Sequence, residues 1–144
     1  MASNTAASNV NRDALVGQLG LKQYKNTTIF IRNGVFVLSP SSQNDYSWFD
    51  LRKVNLERYD RTKENGHLLV RFRNNLLWAE LNQFIDQCIS DESSVYTRSI
   101  GTHWKFNIIN DVAGNYNAIN RTGKQKYKLT QMTVEELKGV IGLV

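Results

Sequence analysis

The sequence of 144 residues has few of the residue types on which several protein classes depend. It contains one cysteine, Cys88, and two histidines, His67 and His103. A single cysteine excludes an internal disulfide, and these three residues are too few for a zinc site. No apolar run approaches the ~18 residues of a membrane-spanning helix, and the N-terminus lacks the regions of a signal peptide. The composition therefore predicts an intracellular, cytoplasmic protein without a membrane segment.

Phosphate-binding glycine loops and an activated nucleophile are also missing from the sequence. It contains no GxGxxG or GxxxxGK pattern. Cys88 lies on the apolar stripe of a predicted helix, which favours an inert core thiol. His103, beside Trp104, is the best candidate for a catalytic base, but a lone histidine at a strand edge is more often structural. We therefore expect no cofactor.

Positive charge, by contrast, is concentrated in one segment. The chain has 18 basic and 13 acidic residues, a net charge of +5. Residues 97–128 contain one acidic residue, Asp111, and these basic residues: Arg98, Lys105, Arg121, Lys124, Lys126 and Lys128. The rest of the chain is balanced. Such clustering predicts a surface for phosphates.

The stretch 67–90 predicts a β-hairpin followed by an amphipathic helix. Apolar residues alternate over 68–73 and 76–81, and Asn74-Asn75 supplies a two-residue turn between them. The helical stripe consists of Leu81, Phe84, Ile85, Cys88 and Ile89. We expect this helix to cover one face of the hairpin. The opposite face should present Arg71, Arg73 and Trp78 to a ligand.

Other sequence signals predict the remaining elements of the fold. Asn33-Gly34 predicts a second hairpin, and Thr133 with Glu136 predicts a capping box on a last helix. An earlier helix is predicted from Arg12, capped by Asn11, with further strands at 46–54 and 104–109 and a further hairpin around Thr122-Gly123. We expect a disordered tail over 1–11 and a single α+β nucleic-acid-binding domain over 12–144. Its sheet should be curved, mostly antiparallel and pseudobarrel-like, with about six or seven strands and two or three helices. The apolar ending at 143–144 predicts that this end packs or that the chain continues.

The segment 44–53 offers a catalytic alternative. It resembles the metal-binding core of restriction-type nucleases, in which an acidic residue precedes a strand carrying an acid-x-Lys triplet. The resemblance implies that Asp45 and Asp50 would hold Mg²⁺. Arg52 stands where the family has lysine, and an arginine cannot give up a proton at working pH. The two aspartates are also closer in sequence than the family's loop allows. A Mg²⁺-dependent nuclease is therefore the alternative interpretation.

The order of strands from residue 47 to about 129 carries a broader resemblance. A WFDLR strand precedes LLVRF, then LLWAEL leading into a helix, then HWKFNI. This order resembles the small α+β target-recognition domains of bacterial restriction systems. The resemblance covers over half of the chain and implies defence-related binding of double-stranded DNA, with further domains or subunits of a restriction complex as additional partners. Its motifs are mostly core strands, so no binding residue is carried over one by one.

Basic and aromatic residues provide the predicted nucleic-acid contacts. Arginine binds phosphates and base edges through its planar fork, and tryptophan stacks on bases. The predicted contacts are Trp48, Arg52, Arg71, Arg73 and Trp78 on the sheet, and Arg121, Lys124, Lys126 and Lys128 in a basic loop. A solvated sheet face with salt bridges from Asp50 would give the same pattern. A protein–protein adaptor with a basic face is the remaining alternative.

Overall fold

The computed structural model describes residues 12–43, 46–111 and 113–142. Its strands are β1 (Lys22–Gln23), β2 (Ile29–Arg32), β3 (Val35–Leu38), β4 (Ser41–Ser42), β5 (Trp48–Arg52), β6 (Asn65–Phe72), β7 (Asn75–Glu80), β8 (Val95–Thr97), β9 (Gly101–Asn110), β10 (Tyr116–Asn120) and β11 (Lys126–Gln131). The α-helices are α1 (Lys53–Leu56), α2 (Leu81–Cys88) and α3 (Val134–Ile141). A π-helical segment spans Ala14–Gln18, and a 3-10 turn spans Asp91–Ser93.

The α+β class and the mostly antiparallel sheet are confirmed, but the predicted number of strands is wrong. The described residues form an 11-stranded sheet rather than one of six or seven strands. Strands β1, β4 and β8 have only two or three residues each. So short a strand has too few residues to show an alternating pattern.

The sheet is curled, and two strands, β3 and β4, pair with the same edge of β6. The order is β1-β2-β3-β6-β7-β11-β10-β9-β5, with β8 paired to β9. Strands β3 and β4 both pair with β6, in parallel, while the other ladders are antiparallel. Strand β4 also lies against β5 without a ladder between them. The curl brings β5 back towards β6 across the gap between β4 and β5, which we call the seam.

The main core fills the concave side of the sheet. Helix α2 is inserted there through Leu81, Phe84 and Cys88, all fully buried, which confirms the predicted stripe. Phe84 and Phe49 both pack on Phe106, with ring centroids 5.1 Å apart in each pair. Burying a large apolar side chain stabilises the fold by roughly 1.5–3 kcal/mol. This cluster therefore holds the curled sheet around α2.

A second core covers part of the convex side, where the sequence predicted an exposed hairpin face. Leu69 and Leu76, from the hairpin, pack with Leu15 and Leu19 from the N-terminal segment and Leu137 from α3. The outward positions of β6 and β7 are therefore largely buried. The prediction that this face is open to a ligand is wrong, because two segments distant in sequence fold over it.

Two predicted local signals are confirmed and one turn is shifted. Asn33 and Gly34 have φ values of 37° and 80° and join β2 to β3. Thr133 and Glu136 form the predicted capping box at α3. The β6–β7 turn, however, is at Arg73 and Asn74, because Phe72 pairs with Asn75. The predicted cap at Asn11 and the predicted tail over 1–11 lie outside the described residues.

Candidate nucleic-acid interface

The convex side of β5, β9, β10 and β11 forms a second, uncovered surface. Antiparallel partners share a face, so the register lines up Trp48, Asn107, Ile119 and Lys126 in one row across the four strands. The residues between them, such as Phe49, Phe106 and Ala118, point into the main core. We call the outward residues of these four strands, together with Arg121 at the end of β10, the basic sheet face.

The basic sheet face carries mainly positive charge. Its cations are Arg52, Lys105, Arg121, Lys126 and Lys128, and all except the half-buried Lys105 are exposed. Asp50 is the one acidic residue at the outward positions of these strands, and it pairs across the ladder with Lys105. The structure thus brings cations from three strands, and Arg121 from the end of a fourth, onto one surface. Such a surface has a positive potential that attracts polyanions.

Trp48 organises the centre of this surface through cation–π contacts. The guanidinium carbon of Arg121 lies 3.9 Å from the centroid of the Trp48 ring, and the Lys105 ammonium lies 5.3 Å from it. The ring of Tyr46 packs beside it at 5.2 Å. An arginine stacked on an aromatic face is held in place while its N–H donors remain directed outward from the ring edge. Trp48 therefore positions cations rather than offering a bare ring face.

The loop after β10 is fixed to the body of the domain by a buried asparagine. Asn120, fully buried, donates to the backbone oxygen of Cys88 at 3.0 Å. Its side-chain oxygen accepts from the backbone N–H groups of Thr122 and Gly123. Lys124 lies at the exposed tip of this turn with a φ of 65°. The predicted basic loop is thus a short ordered turn, with Lys126 and Lys128 on the strand that follows.

At the seam between β4 and β5 the surface opens into a cavity of about 570 Å³. Among the residues lining it are Trp48, Asp50, Arg52, Arg71 and Lys105. We call this cavity the arginine cleft. It brings the strand predicted over 46–54 together with Arg71, two of the predicted contact regions. The two come together through the curl of the sheet and not through adjacent strands.

Arg71 itself is buried, which corrects the expectation of an exposed arginine. Only 8% of the residue is accessible, and its Nε and Nη2 donate to the backbone oxygen of Ser39 at 3.2 and 2.8 Å. The guanidinium also lies 5.7 Å from the Phe30 ring centroid. Burial lowers the pKa of Arg71, and nearby Arg12 lowers it further. Removing the Arg71 side chain would therefore affect folding as well as ligand binding.

The sequence predicted that Arg73 lies on the same face as Arg71. This prediction is wrong. It lies in the β6–β7 turn with a φ of 54°, so the strand alternation that would align the two arginines does not reach it. Its guanidinium lies 5.4 Å from the ring of Phe72. Arg73 is exposed but lies outside the arginine cleft.

Trp78 is half-buried and has a structural partner. Its Nε1 donates to Nδ1 of His67 at 3.0 Å, and its ring packs against the second core. Trp78 also lines a separate groove of about 340 Å³ with Lys126 and Lys128. The ring is therefore at the border between the covered and the uncovered surfaces, and it is not the free stacking platform that the sequence predicted.

The candidate catalytic residues are divided between the core and the arginine cleft. Burial raises the pKa of Cys88 to about 12, so its thiol stays protonated. His103 is 1% exposed, and its Nδ1 lies 2.9 Å from the backbone oxygen of Gly101. Asp50 and Arg52 line the cleft, while Asp45 lies outside the described residues. Over 12–43, 46–111 and 113–142, no group of three or more His, Cys, Asp or Glu residues could hold a metal ion.

Three residues of this region were not singled out from the sequence. Lys105 appeared only in the charge count, although it pairs with Asp50 and contacts Trp48. The alternation of β9 could have placed Lys105 on the outward face, because Trp104 and Phe106 on either side of it point inward. Tyr46 and His67 gave no signal, because their roles depend on which strands become neighbours.

Comparisons with protein-family models, with curated proteins and with solved structures found no match to this chain. Among the helices of the described residues, none is long and apolar enough to cross a membrane. The geometry of the basic sheet face is therefore the basis for assigning a function.

Proposed function

We propose that this protein binds double-stranded DNA through the basic sheet face, as the recognition module of a restriction-type or defence-type protein. The observation that carries the proposal is the charge of this face: four cations from β5, β9 and β11, with Arg121 just after β10, share it with a single carboxylate, that of Asp50. The restriction context rests on the order of strands alone. With it comes the expectation of a cytoplasmic location.

The spacing of the cations supports contact with a phosphate backbone. Lys126 and Lys128 are two residues apart on β11, so their side chains leave the same face about 7 Å apart. This is close to the distance between neighbouring phosphates on one strand. Contacts of this type supply affinity and orientation, whereas sequence is recognised by contacts to base edges.

The state of the aromatic residues favours a duplex over a single strand. Proteins that bind single strands stack bases on exposed aromatic rings. Here the Trp48 ring is occupied by Arg121 and Lys105, and Trp78 is half-buried beside His67. Phosphate contacts need no free ring, and the base pairs of a duplex remain stacked on one another. We therefore expect weaker binding to single-stranded DNA and to RNA of the same length.

Fluorescence anisotropy with labelled duplex DNA, measured over a range of salt concentrations, tests the proposal. Replacing Lys126 and Lys128 by glutamine should weaken binding and reduce the slope of log affinity against log salt by about 1.8, at ~0.9 per lost phosphate contact. A matched control replaces Lys22 and Lys63, which are exposed and outside the four strands. The control should keep the parental slope.

Two results would contradict this proposal. If the parent protein shows no affinity for duplex DNA at low salt, the adaptor alternative, in which the face meets an acidic protein, becomes the better explanation. If both double variants reduce the slope equally, binding reflects net charge and not this face. Parallel measurements with single-stranded DNA and RNA, with and without Mg²⁺, compare the nucleic-acid classes.

A further inference from the structure

The arginine cleft has the size and the lining of a small-ligand site. Its volume of about 570 Å³ lies within the range of roughly 300–1,000 Å³ that is usual for such sites. Polar groups from several elements complete the wall that the charged residues begin. They belong to Gln23, Asn26, Thr27, Thr28, Ser41 and Asn55. The cleft is thus lined by hydrogen-bonding groups around a cationic centre.

Arg71 is held in a fixed position at this cleft. Its backbone N–H donates to the oxygen of Pro40 at 2.9 Å, and its backbone oxygen accepts from Nε2 of Gln43 at 2.9 Å. Ser39 takes the Nε and Nη2 donors of the side chain. The Nη1 group makes no hydrogen bond to Ser39, and Arg71 is one of the residues that line the cleft. A preorganised donor of this kind loses little entropy when a ligand binds.

Cations outnumber carboxylates in the described lining of the arginine cleft, where Asp50 is the one acidic residue beside Arg52, Arg71 and Lys105. The ion pairs found within the described residues join Arg61 to Asp86 and Lys138 to Glu135, so neither involves Arg71. Arg52 and Lys105 add two more cations to the lining. Behind the wall, Arg12 donates to the side chain of Gln23 at 3.0 Å. A buried cation without a counter-charge is unfavourable, and an anion in the cleft would remove this cost.

We propose that the arginine cleft binds a nucleoside phosphate, with the phosphate at Arg71 and Arg52 and the base beside Trp48. Arginine forks match phosphate oxygens in geometry and charge. Trp48 is half-buried and lines the cleft, so the base would contact the part of its ring that Arg121 and Lys105 do not cover. The ligand is either a free mononucleotide or the terminal nucleotide of a strand. The site does not require that the basic sheet face bind DNA, since it rests on the cleft alone.

Isothermal titration calorimetry with dAMP, adenosine and inorganic phosphate tests the site. The parent should bind dAMP at concentrations of about 1 mM or below, bind adenosine more weakly, and show competition by phosphate. Arg71→Met keeps the unbranched apolar stem of the side chain and removes its charge. It should weaken dAMP binding by roughly 30-fold or more, as expected for the loss of one partner of a buried charge pair.

Arg52→Gln provides a variant that carries no folding risk, because Arg52 is exposed. It should also weaken dAMP binding, so it decides the question if Arg71→Met does not fold. The Lys126→Gln, Lys128→Gln double variant should keep the parental affinity for dAMP. Failure of the parent to bind dAMP, equal affinity for adenosine, or equal losses in the double variant and in Arg52→Gln would each overturn the site.

A duplex with a 5′-phosphate and the same duplex with a 5′-hydroxyl distinguish the two sources of the ligand. A preference for the 5′-phosphate that disappears in Arg52→Gln supports the cleft and identifies the terminal nucleotide. Equal binding of the two duplexes, with dAMP binding still lost in Arg52→Gln, supports the cleft and identifies the free mononucleotide. In the latter case mononucleotide binding is independent of duplex binding, although Trp48, Arg52 and Lys105 belong to both the cleft and the basic sheet face.

Discussion

The outward side chains of the sheet lie in two different environments. Those of β6 and β7 meet the N-terminal segment and α3, so that Leu69 is fully buried and Leu76 is 7% exposed. Those of β11, and Arg121 just after β10, meet solvent, so that Arg121, Lys126 and Lys128 are exposed. Both surfaces belong to one continuous sheet. The difference shows that the direction of a side chain does not determine whether it can reach a ligand; what packs over it does.

The two outward tryptophans make this difference measurable. Trp78, on the covered side, donates a hydrogen bond to His67 and packs on the second core. Trp48, on the uncovered side, contacts Arg121 and Lys105 through its ring. Both are half-buried, so exposure alone does not distinguish them. Their neighbours do, and they predict a role in folding for Trp78 and, under the proposed function, a role in binding for Trp48.

The largest expected effect separates these two rings. Trp78→Ala should lower the free energy of unfolding by about 3 kcal/mol, the lower end of the range for a buried tryptophan, because it removes core contacts and leaves His67 unpaired. Trp48→Ala should cost less stability but weaken duplex DNA binding, since Arg121 loses its support. Urea unfolding and fluorescence anisotropy on both variants measure the two quantities.

Reversed results for the two tryptophan variants would contradict this division between a folding role and a binding role. A Trp48→Ala protein that unfolds as easily as Trp78→Ala would show that the uncovered half also depends on its outward residues for stability. A folded Trp78→Ala protein with lost DNA affinity would extend the binding surface across the border. The groove that Trp78 shares with Lys126 and Lys128 would then be part of it.

A smaller effect is expected from pH on the covered side. Burial lowers the pKa of His67, and Glu80 opposes this shift to a lesser degree. The unfolded chain therefore takes up a proton near the ordinary value of ~6.5, while the folded protein resists it. Stability should fall as the pH drops from 7 towards 5. Protonation would also break the bond in which Nδ1 accepts from Trp78.

His67→Asn is the matched variant for this effect, because its side-chain oxygen can replace Nδ1 as the acceptor. Urea unfolding at pH 7 and pH 5 should show a smaller loss of stability in the variant than in the parent. The carboxylates with lowered pKa, Asp60, Asp86 and Asp111, lose their stabilising contribution only as the pH falls below the ordinary value of ~4, so they do not account for a change between pH 7 and pH 5. Equal losses in parent and variant would contradict a role for His67.

Local structure was accessible from the sequence because short-range chemistry determines it. The Asn33-Gly34 turn, the Thr133 capping box and the stripe of α2 each depend on residues within a few positions of one another. The same holds for the inward side of the 67–81 hairpin, where Leu68 and Leu77 lie in the main core. In each case a single periodicity or turn preference is enough.

The arrangement of the candidate site was not accessible, because it depends on contacts between distant segments. Arg71 and Trp78 followed a correct alternation, yet the second core that covers their side comes from residues 14–21 and from α3. Arg71 reaches the cleft only because β4 separates β6 from β5 at the seam. A period of two predicts on which side a residue lies, but not which segment folds over that side.

The smallest expected effect concerns the one carboxylate of the uncovered surface and decides between binding and catalysis. Asp50 pairs with Lys105 and lines the arginine cleft. In the binding proposal, Asp50→Asn removes a charge that repels DNA, so affinity for the duplex should stay equal or rise by at most about fivefold, the equivalent of the ~1 kcal/mol typical of a surface charge. Asp13→Asn makes the same change of charge at an exposed position outside the four strands and should leave the affinity unchanged.

A Mg²⁺-dependent nuclease predicts a different result, since loss of a carboxylate ligand would abolish cleavage. Incubating labelled duplex with parent and variant in Mg²⁺, and resolving the products on a denaturing gel, measures this directly. Cleavage by the parent that is absent from Asp50→Asn and present in Asp13→Asn would replace the binding module with an enzyme.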